Sequence, residues 1–153
     1  MKRTDLLAIG IGVLTSVSLF AMARAYAGED DHPTRCTLAT PNGQYLLSGS
    51  GMLFPPAAAV QSTANVAGFH VFNGDGTGTD FVTFSVNGIN QNVPSPVRFT
   101  YTLNSDCTGT LSVHNGPNLD IFAAVDGSAL TTIDTDPGVA FAQGPEPRVG
   151  FAR

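Results

Sequence analysis

Few residues of this chain are of the types that perform acid–base or nucleophilic chemistry, and they are scattered. The three histidines are His32, His70 and His114. A neutral imidazole can act as a general base near pH 7. However, no serine or cysteine stands in the G-x-S-x-G context of an activated nucleophile, and the Gly-Ser-Gly at residues 49–51 lacks that spacing. We therefore expect surface histidines or satisfied core histidines, and we assign no catalytic residue.

The glycine-rich stretch from Asp75 to Asp80 admits two interpretations. A Ca²⁺ ion takes about six to eight oxygen ligands, usually from several carboxylates and a bidentate glutamate. This stretch has two carboxylates and no glutamate at EF-hand spacing. The run from Asn73 to Gly78 is instead typical of a hairpin turn, because glycine adopts positive φ freely and Asn and Asp tolerate it. We expect the turn, with no metal and no cofactor.

The two cysteines, Cys36 and Cys107, could form a disulfide, a pair of metal ligands or a redox site. An even number of cysteines in an exported chain favours a disulfide. The chain has no C-x-x-C, and neither cysteine has a histidine at ligand spacing. A bridge would close a loop of about 72 residues and remove on the order of 4 kcal/mol of unfolded-chain entropy.

The first 27 residues have the layout of a secretory signal peptide. Two basic residues precede a mostly apolar run over residues 6–22, and the small-x-small sequence Ala-Tyr-Ala ends at Ala27. We expect cleavage after Ala27, then a loose acidic leader over residues 28–35 and one domain over residues 36–153. An uncleaved membrane anchor is the alternative, but the apolar run is short for a span. The expected product is bacterial, soluble and exported to the periplasm or beyond, without a stable membrane span.

The charge of the mature chain excludes some partners. It retains four arginines and no lysine against eleven Asp and Glu residues, so its formal net charge is −7. Nucleic acids and anionic membrane surfaces require basic patches, so we expect neither as a partner. About 126 residues suffice for one core.

The elements that position these residues are short strands. Val97–Leu103 alternates, with Val97, Phe99, Tyr101 and Leu103 on one face, which is the period of a half-buried strand. Ala57–Asn65 could be a helical turn or the start of a strand, and Asn87–Asn92 is expected to be a loop. The predicted strands are Gln44–Phe54, Gly68–Phe72, Thr79–Val86, Val97–Leu103, Thr108–His114, Leu119–Val125, Ala129–Thr135 and a last strand or strand pair at Val139–Gln143 and Val149–Ala152.

This pattern predicts an all-β fold, a single small antiparallel up-and-down β-barrel of about eight strands. Successive hairpins give a meander, and closure removes exposed edges. Gly49 and Gly51 within the first strand suggest a bend or bulge. A β-sandwich is the alternative.

In a barrel the core and a ligand pocket share one surface, so the inward apolar row supplies candidate ligand contacts. We expect Arg98 and Asp120 to face solvent. Phe72, Phe81 and Phe122 lie on the opposite parity, where outward aromatics would suit a homo-oligomer interface. The candidate ligand-binding residues are Val82, Phe84, Phe99, Tyr101, Val113 and Ile121.

Several motifs resemble a known family. They are Cys36–Thr40 with Asn42–Tyr45, Asp75-Gly76-x-Gly78, Tyr101–Leu111 and Thr135–Gly138. Together these motifs resemble the allene oxide cyclase barrel-like class of small exported bacterial proteins, over roughly residues 36–153. The resemblance implies a lipocalin-like (calycin) barrel with an apolar cavity, and it also implies a recurring cysteine pair.

The plant members of that class cyclise an unstable fatty-acid epoxide in a shaped apolar pocket, assisted by a buried glutamate. Some bacterial relatives catalyse cycloadditions. Here Glu29 lies in the leader and Glu146 between two prolines, so we expect neither to be a buried catalytic acid.

We therefore expect an exported barrel that binds a small apolar, lipid-like molecule or serves a structural role, without chemistry of its own. The alternatives are a cyclase or isomerase that acts by cavity shape and a surface protein-interaction module.

Overall fold

The computed structural model describes residues 35–150, so the predicted signal peptide and most of the predicted leader lie outside the described residues. The part it describes contains nine β-strands and no helix. It therefore contains no helix of the length and apolarity that crossing a membrane requires. The strands are β1 Gly43–Leu53, β2 Ser62–Phe72, β3 Thr77–Val86, β4 Ile89–Gln91, β5 Val97–Leu103, β6 Thr108–Val113, β7 Asn118–Ala123, β8 Ala129–Asp134 and β9 Val139–Gly150.

Eight of these strands form a closed antiparallel barrel, which confirms the predicted fold. The order is β2-β1-β9-β8-β7-β6-β5-β3, and β3 pairs back onto β2. β4 lies outside the ring and pairs antiparallel with the C-terminal end of β3, at Ser85 and Val86 among others. Every neighbour in the ring except β1 and β9 is also the next barrel strand in sequence, as in a meander.

Three stretches differ from the predicted strands. β2 begins at Ser62, so the ambiguous residues from Ser62 onward are strand rather than helical turn. The expected loop at residues 87–92 contains β4, and the two predicted last segments form one strand, β9. The β1–β9 register shifts between Tyr45 and Gly49, but the extra residue lies on β9, so the bulge is in the partner strand and a bend of β1 at its glycines remains a prediction.

One half of the barrel interior is filled by aromatic rings. Phe72 packs edge-on against Tyr45, Phe99 and Tyr101, with ring centroids 5.0–5.5 Å apart. The expectation that Phe72 points outward is wrong, because inward positions of β2 fall on even numbers and Phe72 is fully buried. The buried core of this half is completed by Leu111, Leu119, Ile121 and Leu130.

The end of the barrel next to these rings, which we call the closed end, is capped by residues 36–42. The Cys36–Cys107 disulfide ties this segment to the β5–β6 turn. Tyr101 Oη donates to the Leu38 carbonyl at 2.6 Å, and Tyr45 Oη donates to the Gly127 carbonyl at 2.6 Å. The sequence prediction of a structural disulfide is confirmed.

The opposite end, which we call the open end, is formed by the connections at residues 54–61, 87–96, 114–117 and 135–138. These connections contain six prolines, and three of them, Pro94, Pro96 and Pro117, line the cavity. No aromatic cluster fills the barrel at this end among the described residues, and a cavity remains there.

Candidate functional site

A cavity of about 620 Å³ occupies the half of the barrel towards the open end. Its walls are largely apolar and include Leu47, Val82, Phe84, Val113 and Phe141. Its volume lies within the range of small-molecule sites, about 300–1,000 Å³.

The cavity ends on a layer of buried polar side chains that separates it from the aromatic rings. We call His70, Asp80, Thr132, Gln143 and Glu146 the polar layer; all five are buried. His70, Asp80 and Gln143 line the cavity. On the other side, the His70 ring stacks on Phe72 with centroids 5.9 Å apart.

His70 and Asp80 are direct partners across the β2–β3 pair. His70 Nδ1 lies 3.2 Å from Asp80 Oδ1, and the two residues are 1% and 4% exposed. Despite this distance, neither atom has a partner in hydrogen-bond geometry within residues 35–150. Burial lowers the pKa of His70 to about 4, partly opposed by its bond to Gln143, and raises the pKa of Asp80 to about 7.

Glu146 enters the barrel through a bulge in β9. Thr132 pairs with Gln143 and Leu130 with Glu146, so three steps on β9 oppose two on β8. The extra residue lies near Gly144 and turns Glu146 inward on the same face as Gln143. The expectation that Glu146 is not a buried acid is therefore wrong: its side chain is 0% exposed.

The hydrogen bonds of the polar layer determine where its protons lie. Gln143 Oε1 is 3.0 Å from Thr132 Oγ1 and 3.3 Å from His70 Nε2. A carbonyl oxygen only accepts, so the network assigns the proton of neutral His70 to Nε2 and leaves Nδ1 as an acceptor. The unprotonated Nδ1 then faces Asp80 Oδ1, and both atoms are acceptors while Asp80 is ionised. A protonated Asp80 could donate a hydrogen bond to Nδ1.

Glu146 fits this network as a neutral acid. Thr132 Oγ1 is 3.2 Å from Glu146 Oε1, but its single proton already serves Gln143. A protonated Glu146 can donate to Thr132 instead. Burial, together with the charge of Asp80, raises the pKa of Glu146 to about 8, against the lowering effect of Thr132. Glu146 Oε2 lies 3.8 Å from His70 Nε2.

Gly49 on β1 provides the room that Gln143 needs to reach His70. A Cβ at residue 49 would lie 2.8 Å from Gln143 Cγ, closer than real side chains approach, and 3.0 Å from Phe141 Cε1, a tight contact. β1 lies between β9 and β2, so a side chain there would stand between Gln143 and His70. The absence of a side chain at Gly49 thus allows the Gln143 side chain to cross β1 and contact His70.

The six candidate ligand-binding residues divide between the two halves of the barrel. Val82, Phe84 and Val113 lie on the cavity wall. Phe99, Tyr101 and Ile121 belong to the buried core of the other half. Ligand contact by any of the six remains a prediction.

The outward residues follow the predicted parity. Arg98 is exposed and Asp120 lies on the outer face of β7, next to the inward Ile121. Phe81 and Phe122 are 45% and 47% exposed. A homo-oligomer interface built on them remains a prediction.

The two other positions weighed as sites are His114 and the Asp75–Asp80 stretch. His114 is exposed at the open end, where it also lines the cavity. Asp75 accepts from Thr77 N and Oγ1 within the hairpin turn, while Asp80 lies inside the barrel, so the two carboxylates do not share a loop. The hairpin turn is confirmed, and residues 35–150 contain no cluster of three or more His, Cys, Asp or Glu side chains able to hold a metal.

A larger hollow of about 960 Å³ is lined chiefly by exposed side chains of β3, β5 and β6, such as Thr77 and Thr100. It contains no buried ionisable side chain among its described lining residues, so the barrel cavity is the better candidate site.

Sequence reasoning missed Asp80 and Glu146. Asp80 had a signal, since it shares the parity of Val82 and Phe84 on an otherwise apolar face. Glu146 had none, because the bulge that turns it inward depends on how β9 pairs with β8.

The fold and the site together define a small closed β-barrel with one filled half and one apolar cavity above an ionisable floor. Comparison with models of known protein families, with curated proteins and with solved structures finds no match to this chain. The resemblance to the allene oxide cyclase barrel-like class therefore remains a prediction from the motifs.

Proposed function

We propose that this protein binds a small, largely apolar molecule in the cavity at the open end of the barrel. The observation that supports the proposal is the cavity itself, about 620 Å³ with walls that include Val82, Phe84 and Phe141. A barrel filled along its whole length would offer no such space. Burial of apolar ligand surface against these walls would supply the binding free energy, at roughly 25 cal/mol per Å² before the costs of association.

We propose also that binding takes place outside the cytoplasm. The Cys36–Cys107 disulfide is compatible with an oxidising compartment. The signal-peptide pattern of residues 1–27 points the same way.

Fluorescence titration with the neutral probe N-phenyl-1-naphthylamine tests the proposal. We expect saturable binding near one probe per chain to the wild type. Val82→Trp should fill the cavity and weaken binding at least about tenfold, because the indole would occupy the ligand's space.

The matched control is Thr83→Trp, the neighbouring position on β3 whose side chain is exposed. It should bind the probe as the wild type does. Equal loss in both variants, or no saturable binding by a folded wild type, would contradict the proposal. Native mass spectrometry and lipid extraction of the purified protein would then identify any co-purifying ligand.

A second candidate function is proton transfer to or from a bound apolar substrate. It is favoured by one observation, the Asp80–His70 pair 3.2 Å apart on the cavity floor. The pKa of Asp80, raised by burial to about 7, is close to the value that suits a general acid or base at neutral pH. A cyclase or isomerase that works in an apolar cavity requires such a group.

Solvent deuterium exchange into 2-octanone tests this second function. Ionised Asp80 would take a proton from the carbon next to the carbonyl and return a deuteron from solvent. Wild-type protein should accelerate the exchange and Asp80→Asn should not, while both still bind the neutral probe. Equal exchange rates with both proteins would exclude Asp80 as the base.

A further inference from the structure

We propose that the cavity floor binds the ammonium group of an apolar primary amine, with Asp80 as its counter-ion. This inference rests on the proposed function, because it names the ligand class of the same cavity. It is argued from three properties of the polar layer: its unmatched acceptors, its charge and the charge of the rim.

The first property is a pair of acceptors without a donor. His70 Nδ1 and Asp80 Oδ1 are 3.2 Å apart, both are buried, and within the described chain neither has a partner in hydrogen-bond geometry. An ammonium group has three donors and a hydroxyl only one. An ammonium at the floor can therefore donate to both atoms at once, whereas a hydroxyl satisfies one and leaves the other unmatched.

The second property is the charge of the layer. Three ionisable groups face one another here: His70 from β2, Asp80 from β3 and Glu146 from β9; Thr132 of β8 and Gln143 of β9 are neutral. His70 is neutral, and Glu146 stays protonated as the donor to Thr132. Ionised Asp80 then leaves one negative charge at the floor, which one ammonium group neutralises. A buried charge without a partner is strongly unfavourable.

The third property is the charge around the opening. The cavity lining includes the carboxylates of Asp80, Asp134 and Asp136; its other charged or titratable groups among the described residues are the guanidinium of Arg98 and the imidazoles of His70 and His114. A negative field in a low-dielectric cleft concentrates cations and repels anions. A carboxylate headgroup would therefore be disfavoured at the floor, which separates an amine from a fatty acid of the same length.

Calorimetric titration with n-octylamine, 1-octanol and octanoate, each below its micellar concentration at pH 7.5, tests the inference. The three share one chain and differ in headgroup. We expect octylamine to bind at least about tenfold tighter than octanol, as a charge-assisted hydrogen bond implies, and octanoate to bind more weakly than octanol. Asp80→Asn should abolish the preference for the amine and leave octanol binding within about twofold.

Asp120→Asn is the matched control, since it makes the same change on the outer face of β7. It should retain the preference of the wild type. A second measurement needs no variant: the octylamine-to-octanol affinity ratio should fall about tenfold per pH unit below the pKa of Asp80, about 7, because Asp80 must release its proton. The enthalpy of octylamine binding at pH 6 should accordingly depend on the ionisation enthalpy of the buffer.

The possible outcomes distinguish failure of the amine inference from failure of the proposed binding of apolar ligands in the cavity. If octanol binds as tightly as octylamine, or if the preference survives in Asp80→Asn or is independent of pH, the amine inference is overturned while cavity binding stands. If none of the three ligands binds and N-phenyl-1-naphthylamine does not bind either, the proposed function itself fails.

Discussion

His70, Asp80 and Glu146 are enclosed in a barrel whose large buried side chains are mostly apolar. Burying a polar atom without a hydrogen bond costs about 1–3 kcal/mol, and His70 Nδ1, Asp80 Oδ1 and Glu146 Oε2 all lack one among the described residues. Groups of this kind with shifted pKa values concentrate at functional sites. Their position beside a cavity is the reason to assign them a role in binding.

At the scale of single residues we predict that Glu146→Gln stabilises the protein at high pH. The amide keeps the size of the side chain and can donate to Thr132 Oγ1, but it does not titrate. The pKa of Glu146 is raised to about 8 in the folded state, so between its ordinary value near 4.5 and about 8 the unfolded chain loses this proton first. Glu146 therefore lowers wild-type stability as the pH rises across that window, and the variant lacks this contribution.

Urea unfolding at pH 4.5 and pH 8 measures this effect. The variant should exceed the wild type by at least about 1 kcal/mol at pH 8 and by much less at pH 4.5. Thr83→Ala, an exposed change that does not titrate, should give the same difference from the wild type at both pH values. A Glu146→Gln advantage that is equal at pH 4.5 and pH 8 would show that Glu146 ionises normally.

At the scale of strands, β1 and β9 shape the site more than the other elements do. The bulge in β9 brings Gln143 and Glu146 to the same interior face. The missing side chain at Gly49 lets Gln143 pass over β1 towards His70, 3.3 Å away. Irregular pairing in these two strands thus builds the polar layer within an otherwise regular meander.

We predict that Gly49→Ala destabilises the protein by about 1–3 kcal/mol, because the new methyl group would overlap Gln143 Cγ and the Ala142 carbonyl. Displacing Gln143 would also remove the acceptor for His70 Nε2. Chemical denaturation measures the loss. Ser50→Ala, the next residue on β1 and exposed, should stay within about 0.5 kcal/mol of the wild type. Equal midpoints for the two variants would mean that Gln143 moves aside freely.

The capping segment at the closed end depends on one covalent link. Cys36 and Cys107 are 71 residues apart, so their disulfide restricts the unfolded chain strongly. We predict that replacing both by serine lowers the free energy of unfolding by up to about 4 kcal/mol. Denaturation without reductant measures this, and dithiothreitol should then lower the midpoint of the wild type but not of the variant. A variant as stable as the wild type would assign the capping to the hydrogen bonds of Tyr45 and Tyr101.

At the scale of the whole molecule, the two halves of the barrel differ in packing: one is filled by side chains and the other contains the cavity. The rings around Phe72, the disulfide and the capping segment fill and close one half. The other half keeps a cavity with an opening between loops. Stability resides chiefly in the closed half, so substitutions on the cavity wall should be tolerated better than those among the aromatic rings.

We predict an unusual pH dependence for the unliganded protein, with stability falling from about pH 5 towards pH 8. Above pH 4.5 the folded state keeps the protons of Asp80 and Glu146, with pKa values raised to about 7 and about 8, while the unfolded state loses both. His70 opposes this up to pH 6.5, because its folded pKa is lowered to about 4. The folded state still binds about one proton more, so rising pH favours unfolding.

Thermal unfolding followed by circular dichroism at constant ionic strength, from pH 4.5 to 8.5, checks this sign. A net difference of one proton corresponds to about 1.4 kcal/mol per pH unit at most, which is several degrees in Tm for a domain of this size. A Tm that rises from pH 5 to pH 8 would refute the protonation states assigned to the polar layer.

The barrel, most of its strand positions and its disulfide could be predicted from the sequence, because their signals are local. The alternation in Val97–Leu103 indicates a strand, and turn residues such as Asn73–Gly78 indicate a hairpin; both depend only on nearby backbone. The disulfide follows from the even number of cysteines. Alternation shows which face a side chain takes. It does not show how far along the barrel that side chain lies.

Depth, register and closure are tertiary properties, and they decided the site. Pairing β2 with β3 places His70 opposite Asp80, and the β9 bulge reverses the parity that would place Glu146 outside. The distribution of large rings, with Phe72 inside, fills one half of the barrel and leaves the cavity in the other. Glu146 is distant in sequence from the β2–β3 hairpin that holds His70 and Asp80, so only the closed sheet brings the three side chains together.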